Sequence, residues 1–235
     1  MDRALLLDTQ YRMHEVICRF PSEAYYLGRL KTKVDERTSV LHIETEGMRH
    51  SKHILFGDIR GVEFSLVVST ARGNENSKAN FAEVKKAVEI CGQLVSVGHV
   101  RQENIAILSP YNAQVAQIRD RLRRSTDPQM ERITVTTITK SQGSEWQYVI
   151  LSMVRSCPSN EIEPYPSREW LSKHIGFVGD ENQINVGITR AQDGLCILGN
   201  QEILNCSPAW KKLLKHYSGQ GCVVSADQIT VHNVR

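Results

Sequence analysis

The chain has 235 residues, of which 40% are hydrophobic and 23% charged, enough to fill a real core as one large α/β domain or two small ones, so a globular fold is expected. A formal net charge of +3 permits a polyanionic partner but falls well short of the density that announces one. The six cysteines (Cys18, Cys91, Cys157, Cys196, Cys206, Cys222) lie far apart with no CxxC pair and no histidines at zinc spacing, which leaves no metal site to read and points to reduced thiols. The opening run MDRALLLDTQYRMHE is too short and too charged for a signal peptide or a membrane span. An intracellular protein, cytoplasmic and/or nuclear and without membrane contact, is therefore expected.

In chain order, Gln10-Tyr11-Arg12-Met13-His14 stands ahead of a helical segment that runs into Phe20-Pro21-Ser22. Residues 1–30 form an entry segment of the same domain, and residues 31–62 carry no readable period, so they are expected to be irregular or inserted. From about residue 65, β-branched runs alternate with helical patterns, the signature of a parallel sheet covered by helices. Phe64–Thr70 reads as a strand, followed by a turn-like stretch at 72–76. Residues 78–97 place Phe81, Val84, Val88, Cys91 and Leu94 at spacings of three and four, which predicts an amphipathic helix. A strand at Asn104–Ser109 and a helix at Tyr111–Arg124 follow, the helix with Val115, Ile118 and Leu122 on one face. Strands at Ile133–Ile138 and Tyr148–Val154 are nearly continuous in apolar or β-branched residues, as sheet interiors covered on both faces tend to be. Residues 157–176, with three prolines, read as an excursion from the sheet. Helix Asn182–Arg190, strand Leu195–Gly199, helix Pro208–Tyr217 and strand Cys222–Ser225 complete a unit spanning 63–226, with 227–235 as a tail.

Three segments bring chemistry to strand ends, where ligands of open α/β sheets bind. In the first, the Tyr11 ring can stack on a base and the Arg12 guanidinium can fork onto phosphate oxygens; a surface tyrosine beside a salt-bridged arginine would look the same. The second, Thr136–Glu145, leaves a strand for a Gly-containing loop dense in hydroxyls. It offers donors to a phosphate chain and a carboxylate to a ribose hydroxyl, or it is simply a solvated turn. In the third, Asn185–Ala191, Arg190 ends a short helix, placed either to reach a transferring phosphoryl group or to complement the helix dipole. Each segment alone leaves both readings open.

Taken together and in order, Gln10–His14, Ser109-Pro-Tyr-Asn-Ala-Gln114, Ser141-Gln-Gly-Ser-Glu145 and Val186-Gly-Ile-Thr-Arg-Ala191 resemble the second-lobe motifs of superfamily 1 helicases. The likeness spans nearly the whole chain and is to the branch containing the nonsense-mediated-decay helicase and senataxin. Around Gly73–Lys78 and Ile138–Trp146 it is closest to the helicases with a zinc-finger domain. The resemblance implies a RecA-like, P-loop NTPase-type α/β fold, with a parallel sheet and helices on both faces, that lacks the Walker A lobe. It implies that Tyr11 stacks on adenine and that Arg12, preceded by Gln10, reaches the terminal phosphates. Glu145 becomes a ribose contact in a loop shaped by Gln142 and Gly143, and Arg190 the arginine finger. Ser109, Tyr111, Gln114 and Thr137 become contacts to a sugar–phosphate backbone; Lys140 joins them by charge alone.

Four positions depart from the pattern: Ser109 for Thr, Thr139 for Asp, Gly187 for Ala, and Gln192 for a second arginine, so no phosphate role extends to 192. More telling, the sequence holds no G-x-x-x-x-G-K-[ST] loop and no Asp-Glu pair after an apolar strand, the parts that cradle phosphates and hold magnesium. ATP with Mg²⁺ would thus need phosphate and metal ligands from a first lobe, and the lone chain should hydrolyse nothing. With structured sequence beginning close to Met1, a fragment, truncated isoform or excised domain of a longer helicase is expected. Single-stranded RNA or DNA is the expected partner. By the narrower resemblance, the longer protein would carry zinc fingers and engage nuclear-receptor complexes as a coactivator. A different class of function stays open, a non-catalytic module that binds nucleic acid or protein; an unrelated nucleotide hydrolase is disfavoured by the missing phosphate loop.

Overall fold

Strands buried on both faces need apolar residues at every position rather than at alternate ones, and Ile105–Ser109 meets this with all five residues buried. The computed structural model describes residues 7–45, 48–70 and 73–233. Strand β1 (Thr9–Gln10) leads into helix α1 (Glu15–Tyr25) and pairs in parallel with β2 (Lys31–Thr32). A hairpin of β3 (Leu41–Thr45) and β4 (Met48–Ser51) precedes β5 (Ile54–Asp58). The ribbon β6 (Glu63–Thr70) and β7 (Gly73–Asn80) is followed by α2 (Phe81–Ser96), β8 (Ile105–Ser109), α3 (Asn112–Arg123) and β9 (Thr134–Thr137). Then come β10 (Trp146–Ser152), α4 (Arg168–His174), α5 (Glu181–Ile188), β11 (Ala191–Gly199), α6 (Gln201–Leu204), α7 (Pro208–Ser218), β12 (Val223–Ser225) and β13 (Ile229–Val231).

Six strands form the central sheet in the order β12-β5-β11-β10-β8-β9, every pair parallel. The sheet divides two cores. On one face α2 and α3 pack Ala87, Ile90, Leu94 and Ile118 against Leu55, Ile105, Ile107 and Ile150. On the other, Ile17 of α1, Ile184 and Ile188 of α5, and Trp210 and Leu213 of α7 cover Phe56, Leu108, Leu151 and Ile197. Consecutive residues of one strand face opposite cores, which is why these strands read as continuous apolar runs. The expected α/β architecture, a parallel sheet with helices on both faces, is present. Among the described residues, no helix is long and apolar enough to cross a membrane.

Several expectations need correction. Residues 31–62 are not irregular: they supply four strands, and β5 sits second in the central sheet. Its three apolar residues, Ile54, Leu55 and Phe56, are fully buried, yet the run is too short between polar flanks to carry a period. The strand near 64–70 exists but lies outside the parallel sheet, paired antiparallel with β7. Of the turn-like stretch, residue 72 lies outside the described residues, and 73–76 belong to β7. The tail also contributes a strand, because β13 pairs antiparallel with β3. Helix α2 starts three residues later than expected because the Asn80 side chain accepts from Ala82 N and Glu83 N, an N-cap. Of its expected stripe Val84, Cys91 and Leu94 are buried, but Phe81 is exposed and the buried face is wider, taking in Glu83, Ala87 and Ile90. The excursion at 157–176 carries α4 and adds no strand to the sheet.

Close approach requires glycine at position 194. A Cβ at Gly194 would lie 2.5 Å from Cδ1 and Cε1 of Tyr148, a buried ring whose hydroxyl accepts from Val40 N at 3.1 Å. The absent side chain lets Tyr148 cross β11 and hold the hairpin's entry.

Candidate functional site

The parallel register β10–β11 puts the residues preceding each strand side by side, with Trp146 opposite Ala191. Glu145 and Arg190 therefore become neighbours although far apart in sequence, and Trp146 N donates to Arg190 O at 3.0 Å. The Gln10–His14 segment docks on the same edge, where His14 N donates to Gln192 O at 2.8 Å. Three of the four motifs thus meet at the amino ends of β10 and β11. That is the opposite edge from the carboxyl ends where open α/β sheets ordinarily take ligands.

Gln10 builds the first motif's turn. Its amide oxygen accepts from Arg12 N at 2.9 Å and Met13 N at 2.8 Å, while its nitrogen donates to Met13 O at 2.8 Å and Thr32 Oγ1 at 2.6 Å. Only a side chain that both donates and accepts serves all four. Tyr11 is thereby turned outward, 67% exposed. The Arg12 guanidinium pairs through Nε with the Glu145 carboxylate and donates from Nη1 to Thr189 O at 3.2 Å. Glu145 also accepts from Gln192 Nε2 at 2.9 Å, so the residue in place of a second arginine orients the carboxylate. Gln142 and Gly143 are exposed in the loop before it, and Gly143 has φ +88°, the left-handed region that favours glycine.

Arg190 is largely buried and donates from Nε to Val186 O at 2.9 Å, from Nη1 to Ser144 O at 3.0 Å and from Nη2 to Thr189 Oγ1 at 3.2 Å. Burial and the neighbouring Arg12 charge push its pKa down, with Glu145 opposing. Burial acts to raise the Glu145 carboxyl, but the Arg12 hydrogen bond and charge prevail and hold it below the usual carboxylate range. Arg12 pairs with the Glu145 carboxylate and Arg190 lies within its electrostatic reach, so among the described residues two cations face one carboxylate here, beside an exposed aromatic ring. Such a group can accept a polyanion that takes over the partnership of Glu145.

The residues expected to touch nucleic acid lie at the other edge. Ser109 and Thr137 end β8 and β9 and stand opposite each other. Ser109 is fully buried and accepts from Tyr111 N at 3.3 Å; Thr137, also buried, accepts from Lys140 N at 3.4 Å. Lys140 is exposed. Tyr111 is 6% exposed, its ring covered by Phe177 at 4.8 Å and its hydroxyl accepting from Arg155 Nη1 at 3.4 Å. Gln114 is fully buried, accepting from Asn80 N at 2.8 Å and donating to Asn80 O at 3.2 Å and Ser152 Oγ at 2.7 Å. Its amide is spent on fixing the start of α2 and presents no atom to a ligand. Ser109 is likewise closed to direct side-chain contact.

Behind this edge is a buried polar network that motif reading missed. Glu83 accepts from Val154 N at 2.9 and 3.0 Å and from Ser152 Oγ at 2.6 Å, and burial pushes its carboxyl up to about 8. Val154, at φ +74°, is a β-branched residue in a conformation that needs outside support; the Glu83 carboxyl supplies it. Next along, Arg155 donates to Glu63 Oε2 at 3.0 Å and to Lys173 O at 2.7 Å, and Lys78 pairs with Glu63 at 2.8 Å. The available signal was an acid at position 83 in register with Ala87, Ile90 and Leu94, the apolar stripe of a helix. No group of three or more His, Cys, Asp or Glu could hold a metal ion among the described residues.

Comparison with known proteins gives a consistent set. A family model described as an AAA domain matches residues 1–202. The human 3'-5' exoribonuclease HELZ2, helicase with zinc finger 2, is 46% identical over 228 residues, covering 97% of this chain and 8% of the relative. The ATP-dependent helicase NAM7 of Saccharomyces cerevisiae is 32% identical over 225 residues, covering 93% of this chain and 21% of the relative. The regulator of nonsense transcripts 1 homolog of Arabidopsis thaliana is 30% identical over 230 residues, covering 94% of this chain and 16% of the relative. The chain therefore spans between 8% and 21% of the length of these relatives.

Proposed function

The chain belongs to the AAA-domain family, with HELZ2 and the nonsense-transcript helicases among its relatives, and from that premise we propose that it is the second motor lobe of an ATP-dependent RNA or DNA helicase. The observation that carries this reading is the convergence of Arg12, Glu145 and Arg190 from three distant segments onto one sheet edge, beside the exposed Tyr11. A guanidinium has five N–H donors; Arg190 commits three of its own within the chain, which leaves two for a phosphate. Both cations and the aromatic ring fit the two ends of ATP. Tyr11 would stack on adenine, Glu145 would accept from the ribose in the loop shaped by Gln142 and Gly143, and Arg12 and Arg190 would reach the terminal phosphates. Magnesium and phosphate-loop ligands would come from a first lobe.

In this reading, ATP bound between two lobes supplies negative charge whose development in phosphoryl transfer is stabilised by the fixed donors of Arg190. Arg12 exchanges Glu145 for phosphate as the cleft closes, so the same edge senses whether nucleotide is present. Nucleic acid lies along the opposite edge, contacted by backbone groups near Ser109 and Thr137 and by Lys140. Phosphate contacts hold register without reading bases, so base preference is weak.

The test is RNA-stimulated ATP hydrolysis by this chain alone and joined to the first lobe of its longer protein. Activity only in the joined protein is the expected result. Hydrolysis by the lone chain would overturn the reading. No hydrolysis in the joined protein, with salt-sensitive RNA binding retained, would assign the chain to the class of non-catalytic binding modules.

A further inference from the structure

Single strands are held by aromatic faces as well as by cations, because every base presents a π-face. Tyr11 is committed to the nucleotide edge in the reading above, and at the nucleic-acid edge Tyr111 is 6% exposed, so its ring has no free face to offer. What covers it is Phe177, 46% exposed, on a 3-10 turn spanning Gly176–Gly179. The two rings lie 4.8 Å apart at an interplanar angle of 49°. Phe177 thus packs against the Tyr111 ring while remaining about half exposed.

That support is built from buried charge. Arg155, 4% exposed, donates to the Tyr111 hydroxyl at 3.4 Å and to Lys173 O at 2.7 Å, and is itself pinned by Glu63 at 3.0 Å. Gly176, at φ +56°, would place a Cβ 3.5 Å from the same Arg155 Nη1, so the guanidinium lies close to the turn that carries Phe177. The line is continuous with the strand ends: Thr137 stands opposite Ser109, Ser109 Oγ accepts from Tyr111 N, and Tyr111 meets Phe177.

We propose that Phe177 is the base-stacking platform of this lobe, taking one base of a single-stranded RNA or DNA whose backbone passes the ends of β8 and β9. Tyr111 and Arg155 are positioning residues that keep the ring presented. The inference rests on the nucleic-acid role proposed above. Stacking tolerates any base, which agrees with a motor that must move regardless of sequence.

The test uses the full chain and a single-stranded oligouridine carrying one 5-iodouridine. Wild type is expected to crosslink at Phe177 on irradiation, as mapped by mass spectrometry. Phe177→Ala should weaken oligonucleotide affinity about 5- to 150-fold, the span of one base–aromatic stack, with Phe177→Trp retaining it. The salt dependence of binding should be the same in all three proteins, because a stacked base releases no counterions. Binding by Phe177→Ala within twofold of wild type, or a crosslink mapping elsewhere, overturns the platform while leaving the nucleic-acid role intact. Failure of wild type to bind any single strand, alone or joined to its first lobe, overturns both. Thermal melting of Phe177→Ala close to wild type separates a lost contact from a lost fold.

Discussion

Replacing Arg190 separates a catalytic arginine from one that merely ends a helix. Arg190→Ala removes three hydrogen bonds, to Val186 O, Ser144 O and Thr189 Oγ1. At a net value of about 0.5–1.5 kcal/mol each, the expected loss of stability is roughly 2–4 kcal/mol. For a domain of this size that lowers the melting temperature by about 5–15 °C. Both readings of the residue share this cost. A finger adds a second, independent loss, on the order of 10³-fold or more in ATP turnover, or about 4 kcal/mol of transition-state stabilisation. Arg190→Lys keeps the charge but cannot satisfy two carbonyls while forking onto phosphate, so it should recover part of the stability and little of the turnover. The assays are urea unfolding of the lone chain and single-turnover hydrolysis by the joined protein, below the onset of unfolding. Turnover by folded Arg190→Ala within a few-fold of wild type would refute the reasoning, whatever the melting temperature does.

Glu145→Ala should raise the KM for ATP about tenfold or more, the worth of a hydrogen bond to a charged group. It should raise the KM for 2′,3′-dideoxy-ATP much less, and equal changes for the two nucleotides would remove the ribose contact. Glu83, with its folded pKa raised to about 8 from an ordinary 4.5, binds its proton more tightly when folded, so its stabilising contribution is full below pH 4.5 and lost as pH rises to about 8. The stability of wild type relative to Glu83→Gln should therefore fall across that window by up to about 1.4 kcal/mol per pH unit, measured as urea midpoints at pH 5, 6.5 and 8; a pH-independent difference would contradict it. Gly194→Ala forces a methyl to within 2.5 Å of the Tyr148 ring and should cost about 1–3 kcal/mol by overpacking, read as a lower melting temperature, with an unchanged one counting against the close approach.

What the chain's local chemistry determines is legible without a structure. Ile105–Ser109 and Leu195–Gly199 are buried on both faces, so their apolar runs announce parallel strands whatever their neighbours. The order of Gln10–His14, Ser109–Gln114, Ser141–Glu145 and Val186–Ala191 likewise needed only the sequence, and it led to the relationship with HELZ2 and the nonsense-transcript helicases that the comparisons show. Local signals could not say where those motifs would lie. Strand order is set by pairings between distant residues, and β5 enters the sheet through its fit between β11 and β12 rather than through any period of its own. The meeting of Arg12, Glu145 and Arg190 follows from that order and from the docking of His14 on Gln192. Burial is also a property of the assembled fold: Gln114 is spent inside the protein, while Phe177, carrying no motif, stays half exposed against a Tyr111 ring whose hydroxyl meets a buried arginine that only tertiary packing could bring there.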